Sequence, residues 1–219
     1  MANRAIIEVA RLDAVQARVR RMHTDSARAL QSTVRDAKQR IPGWVAAEVT
    51  KQYGVSKKQV TSNELGSMRI SGDTMQDLRF TYKGRRLTPT HFKMSPKYPT
   101  GGAYTLKATI LRGQRSTLGK VKKLTKKQRK TLGRNFKAMN PKTSDHSPIM
   151  LMKTGNRQAG GIDYIPFQRK STSRTDVHPI KTVSLPQMIT NEQVAAGIYR
   201  VIDEKLGERL NHHLQRMMR

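Results

Sequence analysis

The feature that most constrains this chain is a long segment that contains no acidic residue. Between Leu78 and Ser144 there is no Asp and no Glu, yet the segment carries nineteen Lys and Arg residues. The whole chain has a formal net charge of +28. Repulsion among this many like charges destabilises a compact fold. We therefore expect a partner to supply negative charge, and the usual sources are nucleic acid, an acidic protein surface or an anionic membrane.

Positive charge is densest in the run KVKKLTKKQRK, which covers Lys120 to Lys130. A block of like charges is often a solvated loop. The alternative is an arm that lies along phosphates, where each neutralised phosphate releases counterions and gives a sequence-independent affinity that falls with salt. Phe136 is the only aromatic residue from Lys120 to Lys142. Because a single-stranded nucleic acid is bound by stacking on several aromatic side chains, a duplex phosphate backbone or an acidic protein surface is favoured as the partner.

We prefer the arm, and its sparse apolar stripe predicts that it becomes helical when its charge is neutralised. The stripe consists of Val121, Leu124, Leu132 and Phe136. The residues expected to contact nucleic acid or an acidic partner are Lys120, Lys122, Lys123, Lys126, Lys127, Arg129, Lys130 and Arg134.

Length and composition predict one domain over residues 1–219, with the basic arm inserted at about 112–147. Cys is absent, which excludes disulfides, thiolate metal sites and a Cys nucleophile. The first apolar stretch is interrupted by Glu8 and is too short for a signal peptide. Because no apolar run reaches the length of a membrane span, we expect a soluble protein that is made in a cytoplasm and has no membrane partner.

The first part of the chain is predicted to be helical. Ile6 to Leu12 is either an edge strand or the first turns of a helix, and helical spacing begins at Asp13. A cap at Thr24 and Asp25 is expected to divide the pattern into two helices, and Pro42-Gly43 to end or kink the second. Gly54 suits a C-terminal stop, and Ser56 caps a further short helix. We interpret this helical pair as packing rather than as a DNA-reading helix-turn-helix.

Segments rich in β-formers follow Gly66, and Tyr104 to Leu111 is the clearest because it alternates apolar and polar residues. Lys83-Gly84 is expected to form a hairpin turn. The other predicted strands are Met68–Ile70, Leu78–Tyr82, Arg86–Phe92, Ile149–Met152 and Tyr164–Gln168.

The last element is a long helix, for which Thr190 and Gln193 predict a capping box. Its apolar stripe drifts around the helix because it repeats every four residues. The fold class is therefore α+β: N-terminal helices, a central antiparallel β-sheet with the long basic arm, and a C-terminal helix. The stripe consists of Val194, Ile198, Ile202, Leu206, Leu210 and Leu214.

No pattern of residues indicates an active site. Asp145-His146 and the pair Asp176 and His178 place a carboxylate near an imidazole, but a metal site needs more converging ligands. His212-His213 resembles an exposed helix face, because consecutive helix positions diverge. Ser184 lacks the Gly-x-Ser-x-Gly setting of a nucleophile. We therefore predict a protein that is not an enzyme, with no catalytic residue, no cofactor and no metal.

Three ordered segments together resemble the phage minor tail protein Z family, also called tail completion proteins. They span from about residue 20 to the end of the chain. Two features depart from the family pattern: the tract before Ser184 lacks the usual Gly-Pro, and Arg112 to Asp145 is longer and more basic. The resembling segments are the helical Ser26–Leu30 and Val45–Val49 with Tyr53–Val60, then Ser147–Gly155, then Pro179-Ile180 with Ser184–Met188.

The resemblance implies a virion protein of the tail and neck of a long-tailed phage, assembled in the cytoplasm of the bacterial host. It would complete the head-proximal end of the tail for joining to a filled head. The implied partners are tail terminator, tail tube, tape-measure or neck proteins and packaged double-stranded DNA, with the chain itself in a homo-oligomeric ring. The alternative is a stand-alone, sequence-independent nucleic-acid-binding protein of a prophage or mobile element.

Overall fold

The computed structural model describes residues 3–8, 25–99, 104–121, 149–153, 164–169 and 176–217. Helices and antiparallel strands place the chain in the α+β class, which confirms the prediction from the sequence. The described strands are divided over three sheets of three strands each.

The elements are numbered here in chain order. The strands are β1 (Asn3–Glu8), β2 (Ser67–Ser71), β3 (Arg79–Gly84), β4 (Lys93–Ser95), β5 (Tyr104–Thr109), β6 (Ser116–Val121), β7 (Ile149–Lys153), β8 (Tyr164–Arg169) and β9 (Val177–Pro179). The helices are α1 (Asp25–Gln52), α2 (Lys57–Thr61), α3 (Leu185–Ile189) and α4 (Glu192–Met217), with a 3₁₀ turn at Pro89–His91.

The chain divides into two compact units. The first unit contains α1, α2, the sheet β1-β3-β2, α3 and α4, and the second contains the other two sheets. Compactness alone does not decide whether the units unfold together, so the single domain expected over residues 1–219 stays a prediction. The first unit is formed by Met1–Gln52, Ser56–Arg86 and Val183–Arg219, and the second by Tyr53–Val55 and Leu87–Thr182.

In the first unit α1 and α4 pack against each other in antiparallel fashion. Near one end, a Cβ atom added to Gly197 would lie 2.8 Å from Oε2 of Glu48, so the backbone of α4 closely approaches α1 there. Near the other end, the buried side chains of Ala29 and Leu210 belong to one apolar cluster. The apolar stripe predicted for α4 is buried from Val194 to Leu210, and Leu214 packs against this cluster.

Helix α1 continues through Pro42 instead of ending there. A proline inside a helix destabilises it by about 3 kcal/mol, because it lacks the N–H group and its ring clashes with the preceding turn. Beyond it, however, Val45 and Val49 are completely buried. Burial of a Val side chain stabilises by roughly 1.5–3 kcal/mol, so the packing beyond the proline outweighs the penalty.

The N-terminal cap predicted for α4 at Thr190 is wrong. Thr190 is instead the C-cap of α3, and its hydroxyl group donates to the carbonyl oxygen of Pro186. The capping box in this region belongs to Ser184 and Gln187 at the start of α3. Ser184 is completely buried, and its Oγ also accepts a hydrogen bond from Nδ2 of Asn3 at 2.9 Å. Its role in the structure is therefore to join α3 to β1.

The sheet β1-β3-β2 has one face in the core of the first unit and one face exposed. Phe80 and Tyr82 of β3 are buried, while Lys83 is exposed. Lys83 and Gly84 do not form the predicted hairpin turn, since both are paired inside β3, Lys83 with Ser67 of β2 and Gly84 with Asn3 of β1. The turn prediction failed because strand β3 extends to Gly84 between the preceding strand β2 and β1, which lies far away in the sequence.

The second unit contains the sheets β4-β5-β6 and β7-β8-β9. Met94, Leu106 and Ile149 are buried together and form its apolar core. The strands predicted at Tyr104, Ile149 and Tyr164 are present as β5, β7 and β8.

Two predictions for the second unit need correction. The strand expected over Arg86–Phe92 is replaced by a 3₁₀ turn, because Pro89 has no N–H group for a sheet and suits the first position of a helical turn. The irregular segment expected from residue 112 contains β6 instead, which pairs with β5. The rest of the predicted arm, residues 122–147, lies outside the described residues.

Candidate nucleic-acid interface

The residues assigned to polyanion contact lie at the end of β6 and beyond it. Lys120 is the next-to-last residue of β6, and its Cα is opposite that of Thr105 in β5. It is the only one of the assigned residues within the part of the chain that the structure describes. The others, which stay a prediction, are Lys122, Lys123, Lys126, Lys127, Arg129, Lys130 and Arg134.

The sheet that leads to Lys120 has a basic outer face. Strand alternation buries Leu106 and Ala108 of β5 and exposes Lys107 between them. On β4 the same alternation buries Met94 and exposes Lys93. Lys107 is paired with Ser95, two residues after Lys93. Side chains in such a diagonal relation lie roughly 7–8 Å apart, so these two lysines form one patch, which we call the second-unit basic face.

The second-unit basic face continues into the turn between β5 and β6. Arg112 and Arg115 in this turn are both exposed. Within the described residues, Lys93, Lys107 and Arg115 form no ion pair and no side-chain hydrogen bond. Asp176 is the only acidic residue in the described part of this unit, and its Oδ1 lies 2.7 Å from Nε2 of His178. The carboxylate is therefore already engaged, and Lys93, Lys107 and Arg115 are left to solvent or a partner.

The chemistry of this face suits phosphate groups better than nucleobases. Lys and Arg side chains donate hydrogen bonds to phosphate oxygens without reading sequence. The neighbouring side chains on the face are the hydroxyl-bearing Thr105, Thr109 and Thr117. Tyr98 is exposed in the same unit, but its ring is in edge contact with Tyr164, with centroids 5.8 Å apart. The face itself thus offers charge and hydroxyl donors rather than a stacking platform.

Burial favours the neutral form of two tyrosine hydroxyl groups near this sheet. Burial raises the pKa of the hydroxyl groups of Tyr53 and Tyr104 above their usual value. Both therefore stay neutral near pH 7. Tyr53 instead pairs with Leu111 in an isolated β-bridge, next to the hydrogen bond from the Gly54 N–H to the carbonyl oxygen of Ile110 at 2.8 Å.

The carboxylate–imidazole pairs noted in the sequence have different outcomes. Asp176 and His178 do meet at one edge of β9, whereas Asp145 and His146 lie outside the described residues. Among the residues that the structure describes, no group of three or more His, Asp or Glu side chains could hold a metal ion.

The prediction of an exposed His212-His213 face is correct only for His212. His213 is partly buried, and its Nε2 lies 3.2 Å from Oδ2 of Asp36 in α1. Arg209 approaches the same carboxylate oxygen at 3.8 Å. The histidine therefore joins α4 to α1, a contact between helices that are distant in sequence and that helical spacing alone could not indicate.

The second-unit basic face was not predicted from the sequence, because its cations are separated along the chain and do not form a dense run. Part of it could be found in the alternation of Tyr104 to Leu111, which predicts that Lys107 lies on the solvent-exposed face of the strand. The pairing of Lys107 with Ser95 of β4 is a tertiary feature, and nothing in the local pattern identifies it.

The chain matches no protein-family model, no curated protein and no solved structure. Among the described residues, no helix is both long enough and apolar enough to cross a membrane.

Proposed function

We propose that the chain is a structural virion protein of the tail and neck region of a long-tailed phage. It completes the head-proximal end of the tail for head–tail joining and turns a basic face toward DNA or acidic partner proteins. The proposal rests on the ordered resemblance to the tail completion family and on the positive charge of the second unit. It includes a homo-oligomeric ring and contact with tail terminator, tail tube, tape-measure or neck proteins.

The second-unit basic face is the observation that supports contact between the protein and a polyanion. Lys93 and Lys107 are exposed on one sheet face, have no acidic partner among the described residues and lie in the sheet whose strand β6 contains Lys120. Unpaired cations gain most when they neutralise a polyanion, because condensed counterions are released. A neck protein close to packaged DNA has such a polyanion beside it.

Deletion of the protein tests the assembly role. We expect phage that lack it to produce tails of nearly normal appearance that join filled heads poorly, because completion of the tail end is the step removed. The measurement is electron microscopy of the lysate together with a head-joining assay in extract, with the intact chain supplied in trans as the control. Infectious particles at the normal yield from the deletion would contradict the proposal.

A stand-alone, sequence-independent nucleic-acid-binding protein is the second candidate function. The same exposed cations favour it, because phosphate contact requires no virion. It predicts duplex binding by the purified protein and no defect in head joining on deletion. The genes on either side also separate the two: tail terminator, tail tube and tape-measure genes support the first, and regulatory genes support the second.

A further inference from the structure

A second basic surface lies on the first unit, on the exposed face of the sheet β1-β3-β2. Strand register places Arg4 of β1 directly opposite Lys83 of β3. Arg69 of β2 is opposite Thr81, two residues before Lys83. All three cationic residues are exposed, whereas Phe80 and Tyr82 on the other face of β3 are buried. We call Arg4, Arg69 and Lys83 the first-unit basic face.

This arrangement is unfavourable for the isolated chain. Like charges directly opposite each other on neighbouring strands destabilise a sheet, and Arg4 and Lys83 form such a pair. Within the described residues none of the three cations has an ion pair or a side-chain hydrogen bond that would offset the repulsion. The strand register also brings Glu8 opposite Arg79, which lies four residues before Lys83 on the same face, so we leave Arg79 out of the set. The remaining cations gain only from an external anion.

The other side chains on the face indicate which anion fits. Ser67 and Ser71 of β2 are exposed beside the cations, and Thr81 is half-buried between them. Hydroxyl groups and arginine guanidinium groups are frequent donors to phosphate oxygens, and the guanidinium group can bind a phosphate through two parallel hydrogen bonds. The face therefore combines the two kinds of donor that a phosphate backbone uses.

Two other classes of partner fit less well. A single-stranded nucleic acid needs aromatic side chains for stacking, and the paired positions of this face carry none. The centre of a protein–protein interface is depleted in Lys and enriched in aromatic residues and Arg. The first-unit basic face has two Arg, but its paired positions carry no aromatic residue, and Ile6 is its only exposed large apolar side chain among the described residues. Arg85 and Arg86, both exposed, follow β3 directly and extend the positive charge.

We propose that the exposed face of the sheet β1-β3-β2 binds the phosphate backbone of duplex DNA through Arg4, Arg69 and Lys83. This is a contact surface in addition to the second-unit basic face and the predicted arm. It deepens the DNA-facing part of the proposed function, on which it rests only for the identity of the partner. Binding of DNA by this face is a property of the purified chain, so it is tested independently of head joining. The face can fail to bind DNA although head joining needs the protein, and it can bind DNA although head joining does not need the protein.

The test compares two triple variants of the full chain that remove the same charge from the first unit. The face variant is Arg4→Gln, Arg69→Gln and Lys83→Gln. The control variant is Arg35→Gln, Arg40→Gln and Lys57→Gln, which changes two exposed arginines of α1 and one exposed lysine of α2. Both lower the net charge equally, so a long-range charge effect is the same in the two proteins.

The measurement is binding of a short fluorescent duplex by anisotropy over a salt series. The slope of log affinity against log salt changes by about 0.9 for each phosphate contact. We expect the slope of the face variant to be shallower than that of the unchanged protein by about 2.7, and the slope of the control variant to stay within the error of the unchanged protein. Equal slopes in all three proteins, or an equal loss in both variants, would overturn the proposal.

Two further probes separate the partner classes. Single-stranded DNA of the same length tests for stacking, and polyglutamate stands for an acidic protein surface. We expect the face variant to lose duplex binding more than binding to either probe. Loss of polyglutamate binding with duplex binding unchanged would overturn the assignment to DNA. If the face variant does not fold, Arg69→Gln alone on the edge strand β2 replaces it, with an expected slope change of about 0.9, and an unchanged slope contradicts the proposal.

Discussion

At the residue scale, the polar hydroxyl group of Tyr82 is buried because the residue occupies an inward-facing position of β3. Alternation along β3 places its side chain in the core, where it is almost completely buried. Within the part of the chain that the structure describes, its hydroxyl group makes no hydrogen bond. An unpaired buried polar group costs roughly 1–3 kcal/mol. Burial also raises the pKa of this hydroxyl above its usual value.

Tyr82→Phe should therefore increase the free energy of unfolding by about 1 kcal/mol. The raised pKa adds a dependence on pH: the folded state favours the neutral hydroxyl, so stability is full below the unfolded pKa of about 10 and is lost as the pH rises above it. The variant should lose less stability than the unchanged protein between about pH 9 and 11. Urea unfolding at several pH values measures both effects.

Tyr104→Phe is the control for Tyr82→Phe, because Tyr104 is only partly buried. Its removal should leave stability near pH 7 almost unchanged. A destabilisation of about 1 kcal/mol or more by Tyr82→Phe would mean that the hydroxyl group makes an important hydrogen bond, and the interpretation of Tyr82 would be wrong.

At the scale of elements, the antiparallel pair α1 and α4 carries most of the described apolar core of the first unit. Leu206 and Leu210 of α4 are nearly completely buried. The drift expected from a four-residue repeat does not expose the stripe, because Leu214 at its end packs on the cluster of Ala29 and Leu210. The polar contact of Asp36 with His213 lies beside this apolar seam.

Leu206→Asp should destabilise the first unit by on the order of 4 kcal/mol, because it removes a packed side chain and buries a carboxylate without a partner. The control is Asn211→Asp, which adds the same charge at an exposed position of the same helix. We expect thermal unfolding monitored by circular dichroism to shift strongly only for Leu206→Asp. Identical melting curves for both variants and the unchanged protein would show that α4 is not held by this seam.

At the scale of the whole molecule, the excess of positive charge is the dominant property. Each unit exposes cations on the outer face of a sheet, and the densest charge lies in the run that begins at Lys120. Net charge of this size raises the rate of association with polyanions and makes it dependent on salt. On the proposed function, we therefore expect contact with DNA to be spread over several surfaces rather than confined to one site.

The contribution of the arm can be measured by replacing its lysines together with serine. The apolar stripe is left intact by this change. We expect the duplex affinity to fall for every sequence tested and the salt slope to flatten by about 0.9 for each phosphate that the arm no longer neutralises. The lysines replaced are Lys122, Lys123, Lys126, Lys127 and Lys130.

A head-joining assay with the same arm variant separates binding to DNA from binding to protein. Normal duplex binding with failed head joining would assign the arm to an acidic neck or tail partner. If duplex binding and head joining are both unchanged, the arm is a solvated loop. In that case we also expect little change in stability, since surface substitutions usually alter it by about 0.5 kcal/mol or less each.

Local sequence patterns determined the class and the principal elements of this protein. Helical spacing identified α4, and alternation identified β5, because both depend on neighbours within a few residues. Only the tertiary structure decided the rest: Pro42 lies inside a helix, Lys83-Gly84 lies inside a strand, and the helix cap is at Ser184. The first two depend on partners distant in the chain, and Ser184 combines a local capping box with Gln187 and a distant hydrogen bond from Asn3. The same holds for the basic faces, since the sequence sets the number of cations, whereas strand pairing places Arg4 opposite Lys83.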